Sequence, residues 1–235
     1  MPEEDNFKIT KNMDNFSDSP IKYLQKSKDE ILDYLRKIVR SRDFNYRTFG
    51  TAIEEHLSDV LVKFLTDGGY IKGNNDYELA SNKNFFPDFI LKSTPQLAVE
   101  YKTGNRSQCK NGKWISVKNS NNDMGTLSEW PKKIDKFGGE NIYYIFVIYN
   151  FNEKVKEVIE VKIAPFYEFM GVNSGKVLKY REKDGNLRPK DFDAVSPITN
   201  YNQFNKLLNK TIIYRSKRIV IKHRKIIKNI TEELK

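Results

Sequence analysis

The sequence predicts an α/β protein, with a mixed, mainly antiparallel sheet flanked by helices. An N-terminal helix and a C-terminal helical extension are expected on either side. Three observations lead there. Apolar residues recur at helical spacing in segments that bracket a strand-rich region. The run Ile142–Phe151, IYYIFVIYNF, is almost wholly apolar, the pattern of a strand buried on both faces. Between 48 and 151 the elements follow the order helix, three strands, helix, strand.

Residues 1–20 hold few apolar side chains and are expected to be loose. A helix is predicted from Ser27. Ser27 and Glu30 form an S-x-x-E capping box, and Ile31, Leu35, Ile38 and Val39 make the apolar stripe. Together, residues 1–46 read as an N-terminal helical arm. A second helix spans 48–65, with Phe49, Ile53, Leu57, Val60, Leu61 and Phe64 on one face, and stops at Asp67-Gly68-Gly69. Strands follow at 70–71 and 77–80, around a Gly73-Asn74-Asn75 turn. Two more, at 85–91 and 97–102, are joined by a short turn containing Pro95. The stretch 103–124 is rich in Asn and Ser and reads as a loop. A third helix covers 128–137, where Pro131 is tolerable in the first turn, and ends at Gly138-Gly139. After the apolar strand come a strand at 155–163 and a short helical turn at 166–170. Residues 173–198 are irregular or short-stranded, and helices are predicted at 203–208 and 216–234. A chain of 235 residues is long enough for one sizeable core, so a single domain is expected.

Composition narrows the class. With 15 Phe and 13 Tyr the chain is too aromatic for wholesale disorder. No run approaches the ~18 apolar residues of a membrane span. The start, MPEEDNFKIT, is acidic and polar, unlike a secretory or transit leader. A single cysteine, Cys109, excludes an internal disulfide and a cysteine-based zinc site, and two histidines leave little for a histidine-rich centre. A soluble cytoplasmic protein is expected.

The charge is +10 and uneven. From 206 to 235 there are ten Lys or Arg against two Glu. From 102 to 122 there are Lys102, Arg106, Lys110, Lys113 and Lys118, and no acid. Concentrated positive charge points to a polyanion, of which nucleic acid is the commonest.

The segment with most chemistry is FPDFILKSTPQLAVEYKTG. Asp88 lies in one predicted strand, and Glu100 and Lys102 lie two apart near the end of the next. Strand side chains alternate, so Glu100 and Lys102 share a face, and a hairpin sets Asp88 opposite them. Two carboxylates beside a lysine make a hard-oxygen site suited to Mg²⁺. Glu54, about 80° from the centre of its helix's apolar stripe, borders the buried side, where a sheet-edge site could use it, with Glu55 behind it. Thr51-x-x-Glu54 also reads as a capping box. The E-x-K tripeptide occurs three times. Glu160-Val161-Lys162 is the serious decoy, since it too sits on a strand but lacks an upstream Pro-Asp. Glu233-Leu234-Lys235 is the other.

Pro87-Asp88 followed by Glu100-Tyr101-Lys102, twelve residues on, resembles the PD-(D/E)xK nuclease superfamily, and most of all type II restriction endonucleases. The resemblance covers about 48–151, where the element order matches that superfamily's αβββαβ core. It implies a Mg²⁺-dependent, sequence-specific endonuclease acting on double-stranded DNA and leaving 5′-phosphate and 3′-hydroxyl ends. Asp88 and Glu100 would hold the metal with the Tyr101 carbonyl, Lys102 would be catalytic, and Glu54 would join them. It further implies a homodimer, a prokaryotic source and a cognate DNA methyltransferase in the host. On this basis 47–163 is the nuclease core, and 164–235 is a basic region for DNA recognition or dimerisation. Asn105, Arg106, Lys110, Lys113 and Lys118 are the DNA-contact candidates, Asn and Arg being matched to adenine and guanine edges. A Holliday-junction resolvase or repair nuclease of the same fold, or a DNA-binding protein without activity, are the alternatives. Of the remaining polar residues, His56 reads as structural, His223 as core or interface on the apolar stripe of the last helix, and Cys109 as inert.

Overall fold

The computed structural model describes residues 19–41, 43–45, 48–82, 85–174 and 176–233. The expectation of a loose start falls almost entirely on 1–18, outside the described residues, as do Leu234 and Lys235 of the third E-x-K.

Five strands form one mixed sheet: β1 (Tyr77–Leu79), β2 (Phe89–Leu91), β3 (Leu97–Asn105), then, further along the chain, Ile142–Phe151 and Lys156–Pro165. Between these last two and β3 lies a separate antiparallel hairpin of β4 (Ser107–Lys110) and β5 (Lys113–Ser116), which makes the long strands β6 (Ile142–Phe151) and β7 (Lys156–Pro165). The sheet order is β1-β2-β3-β6-β7. All neighbours are antiparallel except β3 and β6, which run parallel. Central position explains the composition of β6. Ile145, Val147 and Tyr149 face one layer, and Tyr144, Phe146 and Ile148 face the other.

The first layer is helical. It comprises α1 (Pro20–Lys26), α2 (Lys28–Ser41) and α3 (Phe49–Asp67). Ile31, Leu35 and Val39 of α2 are buried, as are Phe49, Ile53, Leu57, Val60, Leu61, Phe64 and Leu65 of α3. Arg36 Nε donates to the Val158 carbonyl at 3.0 Å and pins α2 to β7. The second layer holds α4 (Trp130–Phe137), a 3-10 turn at Phe166–Phe169, a small ribbon of β8 (Val172–Asn173) and β9 (Val177–Leu178), and the start of α5 (Tyr201–Glu233). Trp130 ties these together. Its ring stacks on Phe166 at 4.3 Å and meets Phe204 edge-on at 5.5 Å, while its Nε1 donates to the Met124 carbonyl at 3.0 Å.

The structure departs from expectation in four places. The helix expected from Ser27 is α2, which begins at Lys28 with the Ile31 N–H bonded to the Ser27 carbonyl at 2.9 Å, but a further helix precedes it: Ser27 is the buried junction between α1 and α2, and Ile21 and Leu24 make α1 a core element. Residues 70–71 are not a strand, and 85–88 lead into β2 rather than forming its first half. The polar 103–124 stretch is not all loop, because β3 runs on to Asn105 and the β4–β5 hairpin follows. Finally, 203–208 and 216–234 belong to one helix, α5. Its first turns pack through Phe204, Leu208 and Thr211, and residues 216–232 are exposed throughout. His223 is among them, so it is surface rather than core. Among the described residues no helix is long and apolar enough to cross a membrane.

Candidate active site

The β2–β3 register decides the geometry. Phe89 pairs with Val99, so Asp88, one residue ahead of β2, stands level with Glu100. Glu100 and Lys102 alternate with Tyr101 and point to the α4 side of the sheet, while Val99 and Tyr101 face the α1–α3 layer. Pairing with β2 ends at Val99, so from Glu100 onward this edge of β3 meets no strand; Asp88 covers it at Tyr101, and Ser120 and Asn122 cover the Thr103 carbonyl. There Asp88 Oδ2 accepts the Tyr101 N–H at 2.6 Å. A residue's N–H and C=O face the same edge of an extended strand. The Tyr101 carbonyl is therefore turned to the side on which Asp88 lies.

Lys102 Nζ donates to Glu100 Oε1 at 2.6 Å, with the lysine side chain 18% and the glutamate 12% exposed. The other oxygen, Glu100 Oε2, is buried and has no hydrogen-bond partner. Glu54 approaches from α3 and accepts the Thr103 hydroxyl at 3.1 Å. Glu55, its neighbour, is exposed. Thr103 had no signal in the motif. It lies one residue beyond Lys102, on the opposite face of β3, and reaches α3 for that reason.

Burial and mutual repulsion shape the charges. The Asp88 carboxyl is pushed up to about 7, first by burial and then by the charge of Glu100; the Tyr101 N–H and Lys102 pull the other way. Burial also raises Glu54, against the opposing pull of Lys102 and Thr103. For Lys102, burial favours the neutral amine, but Glu100, Asp88 and Glu54 outweigh it and hold the ammonium charged. Three acids thus share one lysine.

This surplus of buried negative charge fits a divalent cation. Glu100 Oε2 is an acceptor with nothing to accept, and burial and the Glu100 charge push the Asp88 carboxyl up to about 7 despite Lys102. Among the described residues no three acidic, histidine or cysteine side chains form a closed cage. Mg²⁺ is usually held by one or two carboxylates, water and substrate phosphate, a donor set to which Asp88 and Glu100 can contribute.

The decoy has different surroundings. Glu160 Oε2 lies 3.4 Å from Lys162 Nζ and 4.0 Å from Arg106 Nη2, and Lys162 donates to the Phe192 carbonyl at 2.6 Å. Its direct partners are two cations, one of which, Arg106, is also paired with Asp193. Of the expected DNA-contact residues, Asn105 donates to the Phe151 carbonyl at 3.1 Å and accepts the Ser107 and Phe151 N–H groups. Arg106 grips both oxygens of Asp193, at 2.8 and 2.7 Å. These contacts hold Asn105 and the two terminal nitrogens of Arg106, while Arg106 Nε has no partner among the described residues. Lys110 and Lys113 face each other across the hairpin tip, and Cys109 is exposed one residue before. Lys118 follows the hairpin; its carbonyl accepts the Phe192 N–H.

No family model matches the chain, and no curated protein does. Among solved structures it is similar to the NlaIV restriction endonuclease, with a TM-score of 0.52 and 15% identity over 82% of this chain and 80% of that one. With its five-stranded mixed sheet and flanking helices, the chain has a restriction-endonuclease-like fold.

Proposed function

We propose that this chain is a Mg²⁺-dependent endonuclease that cuts double-stranded DNA at a specific sequence, in the manner of a type II restriction enzyme. The observation that carries the proposal is the meeting of Asp88, Glu100 and Lys102 at the edge of β3, with one buried oxygen of Glu100 unpartnered. The Asp88 and Glu100 carboxylates, with the Tyr101 carbonyl, would hold the metal. When bound, Mg²⁺ lowers the pKa of a water and neutralises charge on the phosphate.

The chain's own residues do the rest. Lys102 is held charged by Glu100 and stands where it can orient the attacking water and offset negative charge building on the phosphate. Glu100 fixes the lysine through Oε1 and keeps Oε2 free. Glu54, placed by Thr103, adds negative field from the far side of the strand. In-line attack expels the 3′ oxygen and leaves 5′-phosphate and 3′-hydroxyl ends. A palindromic site would call for a homodimer, one active site per strand. A host methyltransferase would protect the same sequence.

The test is digestion of a DNA of known sequence with Mg²⁺ and with EDTA. Discrete fragments in Mg²⁺ alone are expected. Cutting confined to branched DNA would favour a resolvase, and binding without cleavage would overturn the enzymatic reading.

A further inference from the structure

α4 places a second cation beside the candidate site. Lys133 is half-buried, with Nζ 3.8 Å from the centroid of the Phe86 ring and 5.2 Å from that of Trp130. Among the described residues its ammonium has no hydrogen bond or ion pair. Glu100, Glu129 and Asp88 act on it only through space, and burial, the largest influence, lowers its pKa. Gly125 leaves the ammonium its room, since a Cβ there would come within 3.0 Å of Nζ. A methionine would pack as well on Phe86 and Trp130 without desolvating a charge. Three unused donors on a half-buried ammonium suit an anion that arrives from outside.

The surroundings suggest which anion. Phe85, Phe86, Gly125, Lys132, Lys133 and Lys136 line an open groove between the 85–86 turn and α4. Lys132 has only Glu129, at 3.6 Å, and Phe85 is 59% exposed. Only Pro87 separates Phe86 from Asp88, so the groove adjoins the Asp88 end of the candidate site. A track of lysines edged by an aromatic ring matches a sugar-phosphate backbone with a base or sugar against the ring.

Resting on the nuclease reading, we infer that this groove carries the cleaved DNA strand and that Lys133 is a positioning residue that grips a phosphate next to the scissile one. Lys132 and Lys136 lie along the backbone beyond it. The groove thereby fixes where along the strand the Asp88–Glu100–Lys102 site cuts.

The experiment compares Lys133→Met, which keeps the stem on Phe86, with Lys133→Arg, which keeps the charge, and with Lys72→Ala, an exposed lysine away from the groove. Duplex binding is measured in EDTA across a salt series, and single-turnover cleavage in Mg²⁺. The Met variant should lower the slope of log K against log salt by about 0.9, the loss of one phosphate contact. It should also slow cleavage by about 10- to 100-fold through misplacement of the strand. Arg should restore the slope and most of the rate, and Lys72→Ala should match wild type. A Met variant with wild-type slope and rate overturns the inference alone. Wild type that binds duplex but does not cut overturns the nuclease reading, while the salt slope still decides whether Lys133 meets phosphate. Failure of wild type to bind duplex overturns both.

Discussion

Burial, and after it the charge of Glu100 across the end of a hairpin, makes Asp88 harder to ionise. The carboxyl moves from 3.8 to about 7 in the metal-free fold. A raised pKa means the folded state holds its proton more tightly than the unfolded one. The associated stability is complete below about pH 4 and is lost as pH rises through 7. Asp88→Asn should therefore raise the thermal midpoint of the metal-free protein at pH 8, by about 2–4 °C per kcal/mol relieved for a chain of this size. The gain should vanish at pH 4. Mg²⁺ needs the carboxylate, so its affinity for wild type should climb through pH 7, which calorimetric titration would show. Lys102→Ala should leave duplex binding in EDTA close to wild type and slow cleavage by about 10²–10³, the usual contribution of one electrostatic stabiliser. Of these residues, Asp88, Glu100, Lys102 and Glu54 were legible in the sequence because strand alternation and helix phase are local rules. Thr103 and Lys133 were not, because their roles depend on which element packs above them.

The elements were legible in proportion to their burial. β6 begins and ends where its apolar run does, because a central strand is sheltered on both faces. α1 was missed since seven residues give barely two turns of pattern, although Pro20 at its first position and the inward Ile21 and Leu24 were there to read. β4 and β5 are short and mostly exposed, so no apolar period marks them. The available signal was Asn111-Gly112, both at positive φ (52° and 73°), between facing lysines. The two predicted C-terminal helices are one because Thr211 bridges the gap in the apolar stripe. It is buried, donates to the Leu207 carbonyl and accepts the Leu178 N–H. Two expectations follow. A two-stranded ribbon fits the major groove, so Lys110→Ser with Lys113→Ser should weaken duplex binding and lower the salt slope by up to about 1.8, with no change in thermal midpoint. Removing residues 216–235 should also shift the midpoint little, because 216–232 are exposed and Arg218 gives up only a surface ion pair with Glu182, while duplex affinity at low salt falls.

On the scale of the whole molecule, Asp88, Glu100 and Glu54 meet around Lys102, and the exposed half of α5 carries Lys217, Arg218, Lys222, Arg224, Lys225 and Lys228 against Glu232. On the proposed function, that basic helix would help draw the DNA in. Light scattering should give a two-chain mass on a palindromic duplex, since one site per strand requires two copies; a one-chain complex that cuts both strands would contradict the dimer. The central claim is narrower: the Asp88–Glu100–Lys102 edge of β3 hydrolyses DNA. The most direct measurement sets Glu100→Ala against Glu160→Ala in a plasmid cleavage assay with Mg²⁺, after confirming that both fold. Cleavage should disappear in Glu100→Ala, with duplex binding kept, and persist in Glu160→Ala. Loss in Glu160→Ala with activity retained in Glu100→Ala would put the chemistry on β7 and contradict it.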